Sequence, residues 1–198
     1  MTPNWTRTTA PTSVVLTLAE IKAQAKLTDD DENGLLAAYG RTADETAEEY
    51  LGYGLLTQTN KLTGVDWPER IWLPRARVLQ SVTSVEYYDE SGTLQTLASS
   101  QYIADDTTSP ASIVRAVNAV WPQLQAGREA WRWRVTYVLG WSSAASVPER
   151  IKQGLRMFVT HLDEDRSGSE ADSALALAAA HEKWSDRIFC PPYRYEAA

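Results

Sequence analysis

Of the residue types that most often do chemistry, this chain has few: one cysteine, Cys190, and two histidines, His161 and His181, among 198 residues. A single thiol cannot close an internal disulfide, so the fold must stand on its core, and such cysteine usage fits a reducing compartment. Two imidazoles leave little material for a general base, a proton relay or a zinc site. No Gly-rich phosphate loop follows any strand-like segment. Long apolar runs are also missing: none approaches the ~18 residues a membrane-spanning helix needs. The Thr/Pro-rich residues 1–13 lack the cationic-then-apolar pattern of a secretory signal and read as a flexible lead-in. The glycosylation-like Asn4-Trp5-Thr6 then carries no meaning. Finally there is no basic excess. The formal net charge is −7, whereas non-specific grip on DNA comes from clustered Lys and Arg.

What is present suffices for one ordinary domain with an appendage. Hydrophobic residues make up 43% and charged ones 23%, which excludes wholesale disorder. Eight Trp and nine Tyr stand against two Phe. Such amphipathic aromatics either await burial against a partner or fill the core of a small sheet. The acids are concentrated. Between Asp29 and Tyr53 eight acids (Asp29, Asp30, Asp31, Glu32, Asp44, Glu45, Glu48, Glu49) face one base, Arg41, so this segment carries the equivalent of the whole net charge.

Thr17-Leu18-Ala19-Glu20 is a capping box that starts a short helix with Leu18, Ile21 and Ala25 on one face, to about Lys26. Thr28 and the acids after it suit a second helix start, because carboxylates there oppose the helix dipole. Leu36, Tyr39, Ala43, Ala47 and Tyr50 recur at intervals of three and four, predicting a helix to about Leu51 that stops at Gly52 or Gly54. Gly40 within it implies a kink or a close helix contact. From Leu55 the period changes to two. Strands are predicted at Leu55–Leu62 and Arg70–Leu73, in a hairpin of Val82–Tyr88 and Thr93–Leu97, and at Tyr102–Ala104 and Ile113–Arg115. The clearest strand is Trp131–Trp141, with Trp131, Trp133, Val135, Tyr137, Leu139 and Trp141 on one face and Arg132, Arg134 and Thr136 on the other. Ser146-Val147-Pro148-Glu149 caps a further helix with Ile151, Leu155, Phe158 and Leu162 as its apolar stripe. After Ser167-Gly168-Ser169 comes an Ala-rich helix, about Glu170 to Ile188, whose apolar edge is only Leu177, Trp184 and Ile188. It needs something outside the domain to pack against. Pro191-Pro192-Tyr193-Arg194-Tyr195 ends the chain in a form that cannot be helical.

The fold class is therefore α+β: a helical bundle of two N-terminal helices, one long helix and one extra C-terminal helix, with an inserted antiparallel β-region that includes a hairpin. The main domain is placed at 14–166 and a helix with an extended arm at 167–198.

Each candidate reactive constellation lacks a partner. Asp29-x-Asp31-x-Asn33-Gly34 begins like a calcium loop, but Gly40 stands where the bidentate Glu belongs, so a solvated helix start is the better account. His161 faces only Asp165 on a helix, half a metal site; a small metal-dependent hydrolase there would need bound metal. Cys190 has no orienting base in sequence. Trp131-Arg132-Trp133-Arg134 interleaves aromatic and basic residues as single-strand nucleic-acid platforms do. In a strand, however, Trp and Arg point to opposite faces, so a half-buried strand with Arg outward and open to pairing with a neighbouring subunit is favoured, with a nucleic-acid-binding module as the alternative. No catalytic residue, metal or cofactor is expected, and the chain reads as a non-enzymatic assembly subunit.

A series of segments, in order, resembles the head–tail connector (adaptor or head-completion) proteins of long-tailed phages. They are Thr17-Leu18-Ala19-Glu20-Ile21-Lys22 with the acids that follow, Glu49-Tyr50-Leu51-Gly52, Leu56-Thr57-Gln58-Thr59, Ile71-Trp72-Leu73-Pro74, Leu79 to Asp89, Val135-Thr136-Tyr137, Gly140 and Val147 to Gln153. The Pro192-Tyr193-Arg194 ending is similar too. The chain departs from the family in Trp121–Trp133 and at Gly40. The resemblance implies a virion protein, made in the host cytoplasm. It would form a ring of about twelve copies beneath the portal protein, extend the DNA channel without sequence-specific binding, and meet the stopper or tail-completion protein. On that basis Trp184, Phe189, Tyr193, Arg194 and Tyr195 are candidate portal anchors. Asp44, Glu45, Glu48 and Glu49 are candidate channel-lining acids, a solvated outer face being the other account of them. Asp89, Glu90, Ser91 and Gly92, at the hairpin tip, are the candidate contact with the next tail component.

Overall fold

The computed structural model describes residues 3–26 and 30–164. Contacts divide the chain into a β-rich unit, Met1–Thr12 with Leu56–Ser142, and a helical unit, Ser13–Leu55 with Ser143–Ala198. The inserted β-region of the sequence reading is thus a unit with its own core, and the first dozen residues belong to it.

The β-rich unit has eight strands: β1 Asn4–Thr9, β2 Gln58–Gly64, β3 Arg70–Trp72, β4 Leu79–Tyr88, β5 Leu94–Thr96, β6 Tyr102–Asp105, β7 Ser112–Arg115 and β8 Trp133–Leu139. They form an antiparallel five-stranded sheet in the order β1-β2-β8-β4-β5 and an antiparallel three-stranded sheet in the order β3-β7-β6. In β8 the side-chain alternation works as the period predicts: Trp133, Val135, Tyr137 and Leu139 are all fully buried. They meet Leu62, Ile71, Leu73, Val85, Leu97 and Ile113 in one core.

The expectation of a flexible lead-in over 1–13 does not hold for Asn4–Thr9. These residues form the edge strand β1, paired to β2 with Trp5 opposite Leu62. The physical reason is a two-residue alternation too thin in apolar groups to stand out: only Trp5 packs on the core, while three β-branched Thr side chains favour the extended backbone.

Four of the tryptophans serve the core, with Trp133 fully buried and Trp5, Trp67 and Trp121 packed against it, whereas Trp72 is 50% exposed. Trp67 is stacked between Trp121 (ring centroids 4.7 Å apart) and Trp133 (5.4 Å). Each indole N–H is satisfied by a backbone carbonyl: Trp67 donates to Pro122, Trp121 to Pro68 and Trp133 to Asp66. Buried Trp needs such partners, and the Pro-containing loops supply them. Gly64, at the end of β2, makes room for the stack: a Cβ there would lie 2.2 Å from the Trp133 ring.

The helical unit has three helices within the described residues: α1 Leu18–Ala25, α2 Asn33–Leu51 and α3 Glu149–Glu164. The capping box forms as predicted: the Glu20 amide donates to the Thr17 hydroxyl while the Thr17 amide donates to the Glu20 carboxylate. Gly52 ends α2 in the left-handed region, φ 71°, and its N–H donates to the Glu48 carbonyl. Thr28, the predicted second start, lies outside the described residues; the cap position of α2 is Glu32, with no side-chain cap bond. Gly40 is a close contact: a Cβ there would lie 3.0 Å from Ile21 Cδ1 of α1. Along α3 the predicted stripe of Ile151, Leu155, Phe158 and Leu162 is buried, with Val159 added. The three helices pack on one another. Arg156 of α3 reaches Glu20 at the start of α1 (3.4 Å) and also pairs with Glu149.

Candidate functional site

Helical geometry splits the four candidate channel acids of α2 into two pairs. Residues 44 and 48 are one turn apart, as are 45 and 49, and the second pair is rotated by roughly 100° from the first. Glu45 and Glu49 are exposed. Glu48 is buried, and its carboxylate accepts from the Leu55 amide at 2.7 Å. Asp44 is half-buried and accepts from the Val15 amide at 2.9 Å. The proposal that all four acids line a channel is therefore corrected. Asp44 and Glu48 are internal backbone acceptors, and only Glu45 and Glu49 face outward. Burial pushes the Asp44 carboxyl up to about 7; the Val15 amide opposes this, and the charges of Glu48 and Glu45 add to it.

The other acids of the same run behave differently. Asp30 accepts from the Lys22 ammonium at 2.7 Å and from Asn33, and the Lys22 bond holds its carboxyl below the usual range. This is a polar helix start, as the missing calcium ligand implied; Asp29 lies outside the described residues. Among the described residues no three His, Cys, Asp or Glu side chains gather as a metal cluster. His161 sits near the end of α3, and its sequence partner Asp165 lies outside the described residues.

At the tip of the β4–β5 hairpin the Asp89 carboxylate is consumed within the turn. It accepts from the amides of Ser91 and Thr93 (3.0 Å each), from the Ser91 hydroxyl and from the Gln95 amide nitrogen. These bonds, the Ser91 hydroxyl first, pull its carboxyl down to about 2. The tip is a rigid turn that presents Glu90 and Ser91 to solvent. Its base is tied to the 121–128 loop by the Gln125 amide, which donates to the Tyr88 carbonyl at 3.0 Å.

The Trp131–Arg134 segment departs from the opposite-faces argument. β8 begins only at Trp133, so Trp131 precedes the strand and is not bound to its alternation. The Arg134 guanidinium lies 4.9 Å from the Trp131 ring centroid, Arg128 lies 3.7 Å from that of Tyr88, and the Tyr88 and Trp131 rings are 5.0 Å apart. An aromatic–arginine cluster does form. Two of the arginines here have carboxylate partners within the chain: Arg134 pairs with Glu86, and Arg132 reaches Asp66 at 3.4 Å, while Arg128 lies on Tyr88 and donates to the Trp131 carbonyl. The partner of Arg134 is Glu86 of the same chain, on the adjacent strand β4, where it lies in register with Arg134. Only the strand pairing could reveal it. Of the remaining candidates, Trp184, Phe189, Tyr193, Arg194, Tyr195 and Cys190 all lie outside the described residues.

The charge is unequally divided. The segments of the β-rich unit hold nine Lys and Arg against eight Asp and Glu, whereas those of the helical unit hold ten against eighteen. The net negative charge therefore belongs to the helical unit. What the described residues offer is exposed acid on α2, an aromatic–arginine cluster in which Glu86 pairs with Arg134, and a hydrogen-bonded hairpin tip.

The sequence profile of one family, described as phage gp6-like head-tail connector protein, matches residues 15–182. The chain belongs to this family. As a head–tail connector it is a structural phage protein, and its described residues form an α+β mixture of three helices and two antiparallel sheets. Curated protein sequences yield no match. Three solved chains share the fold, each covering 98% of this chain and matched over 98% of its own length. One is from the virion of a native gene transfer agent particle (19% identity, TM-score 0.70). Another is from the neck of an empty particle computed with C6 symmetry (20%, 0.69). A third is from the neck of a native particle computed with C12 symmetry (20%, 0.67).

Proposed function

We propose that this connector assembles as a ring, twelvefold in the finished particle, that docks on the portal protein, extends the DNA channel and joins the capsid to the stopper or tail. The observation that carries this is the connector-family match over residues 15–182, and likeness along nearly the whole chain to a neck protein solved with C12 symmetry supports it. The protein would thus reside in the virion, at the head–tail junction, and act without catalysis. A DNA conduit must pass its cargo without holding it. Exposed Glu45 and Glu49 on the acidic helical unit, and arginines already matched by Glu86 and Asp66, suit that task. Salt-dependent DNA binding by the isolated protein is therefore not expected.

Trp184, Phe189, Tyr193, Arg194 and Tyr195 are assigned to the portal contact. Trp184 lies within, and the other four follow, an Ala-rich stretch whose sequence has too few large apolar groups for a helix to be stable alone. The hairpin tip, with Glu90 and Ser91 outward, is assigned to the stopper or tail-completion protein. Electron microscopy of the protein mixed with its portal should show one added ring. A chain truncated after Arg166 should stay folded but add none; decoration at the full-length level by the truncated chain would refute the portal assignment.

A further inference from the structure

The chain passes between its two units three times, after Thr12, after Leu55 and after Ser142. On the helical side, the first two passages are held by the same element. The amide of Val15, the third residue past the first boundary, donates to Asp44 at 2.9 Å; the amide of Leu55, the last residue before the second, donates to Glu48 at 2.7 Å. Asp44 and Glu48 are one turn apart on α2 and aimed inward, away from the face that carries Glu45 and Glu49. A buried amide left without its acceptor is costly, so each of these bonds holds its segment in place. The neighbouring side chains Leu16 and Leu55 are buried. On the β side, the second and third passages are tied to each other. The Thr57 amide donates to the Trp141 carbonyl (3.1 Å), and Leu56 pairs with Trp141 in a parallel bridge. Gly140, at φ +95°, lets the two segments approach: a Cβ there would lie 2.2 Å from the Leu56 carbonyl oxygen.

From this geometry we infer that Asp44 and Glu48 form a paired clamp, which holds the chain where it enters and leaves the first part of the helical unit. Within the helical unit, segments 13–16 and 53–55 then behave as extensions of the packed helices. This inference stands apart from the ring assignment and can fail without it.

Thermolysin, which cuts before bulky apolar residues, reads both boundaries at Val14, Val15 and Leu16 and at Leu55 and Leu56. In the full-length protein Asp44→Ala should raise cleavage at the 14–16 window about tenfold, and Glu48→Ala should do so at 55–56, through local opening. Each should leave the other window, α3 and β8 at the wild-type rate. Asp44→Asn and Glu48→Gln keep an acceptor oxygen and should stay within about twofold of wild type. Cleavage that does not rise, or that rises everywhere together, overturns the clamp. In the wild-type chain hydrogen exchange gives a second reading that needs no variant. The amides of Val15 and Leu55 should exchange as slowly as those of the α2 interior; exchange at loop rates overturns the proposal.

Discussion

Asp44 and Gly64 illustrate two ways in which one residue carries a cost. Asp44 keeps its proton in the folded chain to about pH 7, against an ordinary carboxyl value of 3.8. The folded state therefore binds more protons than the unfolded one between these limits, and the contribution of Asp44 to stability falls as pH rises from about 4 to 7. Asp44→Asn retains the acceptor for the Val15 amide and removes the titration. It should match wild type near pH 4 and exceed it by on the order of 1–2 kcal/mol at pH 8, a figure discounted for the solvent that still reaches the group. Glu20 and Asp30, whose carboxyls are held low, titrate alike in both proteins and cancel in the difference. Denaturant melts at the two pH values test this, and equal gaps at both would count against it. At Gly64 the constraint is steric. Gly64→Ala drives a methyl into the Trp133 ring and should cost about 2–4 kcal/mol, with a shift in tryptophan emission as the three-ring stack is disturbed.

Among the elements, the helices were easiest to foresee. The capping box at Thr17, the stop at Gly52 and the α3 stripe depend on neighbours within four residues, and all are present. Thr17→Ala should remove the cap and lower stability by about 1 kcal/mol, seen as a small fall in melting temperature with the β-rich unit's tryptophan signal unchanged at low temperature. The strands were located to within a few residues, but their partners were not. β1 was hidden because a polar edge strand has almost no periodic signal, its identity resting on pairing with β2 fifty residues away. The Arg134–Glu86 pair rests on the β4–β8 register. Arg134→Ala should leave Glu86 partly buried without its partner and cost about 1–3 kcal/mol, while adding Glu86→Ala should recover part of that loss. A double-mutant cycle with no coupling would show that the pair contributes nothing.

For the whole molecule, the ordered likeness to connector proteins was readable before any coordinates, because it is a property of many short segments in sequence. The acidic excess was also readable. The side on which each acid stands was not. Composition placed Asp44, Glu45, Glu48 and Glu49 together as one acidic run, yet the packing of α2 turned two of them inward to hold backbone amides and left two outside. Likewise Trp131 met Arg134 and Tyr88 because the chain before β8 leaves the strand path. By itself the sequence determined the three described helices, the Thr17 cap, the Gly52 stop, the strands from β2 onward to within a few residues and the family, since these follow from residues near in the chain or from their order. Only the tertiary structure decided the strand order, the joining of residues 4–9 to the sheet, and which charges are already matched. Those depend on groups brought together from distant positions, where burial and pairing set the energy and no local pattern records it.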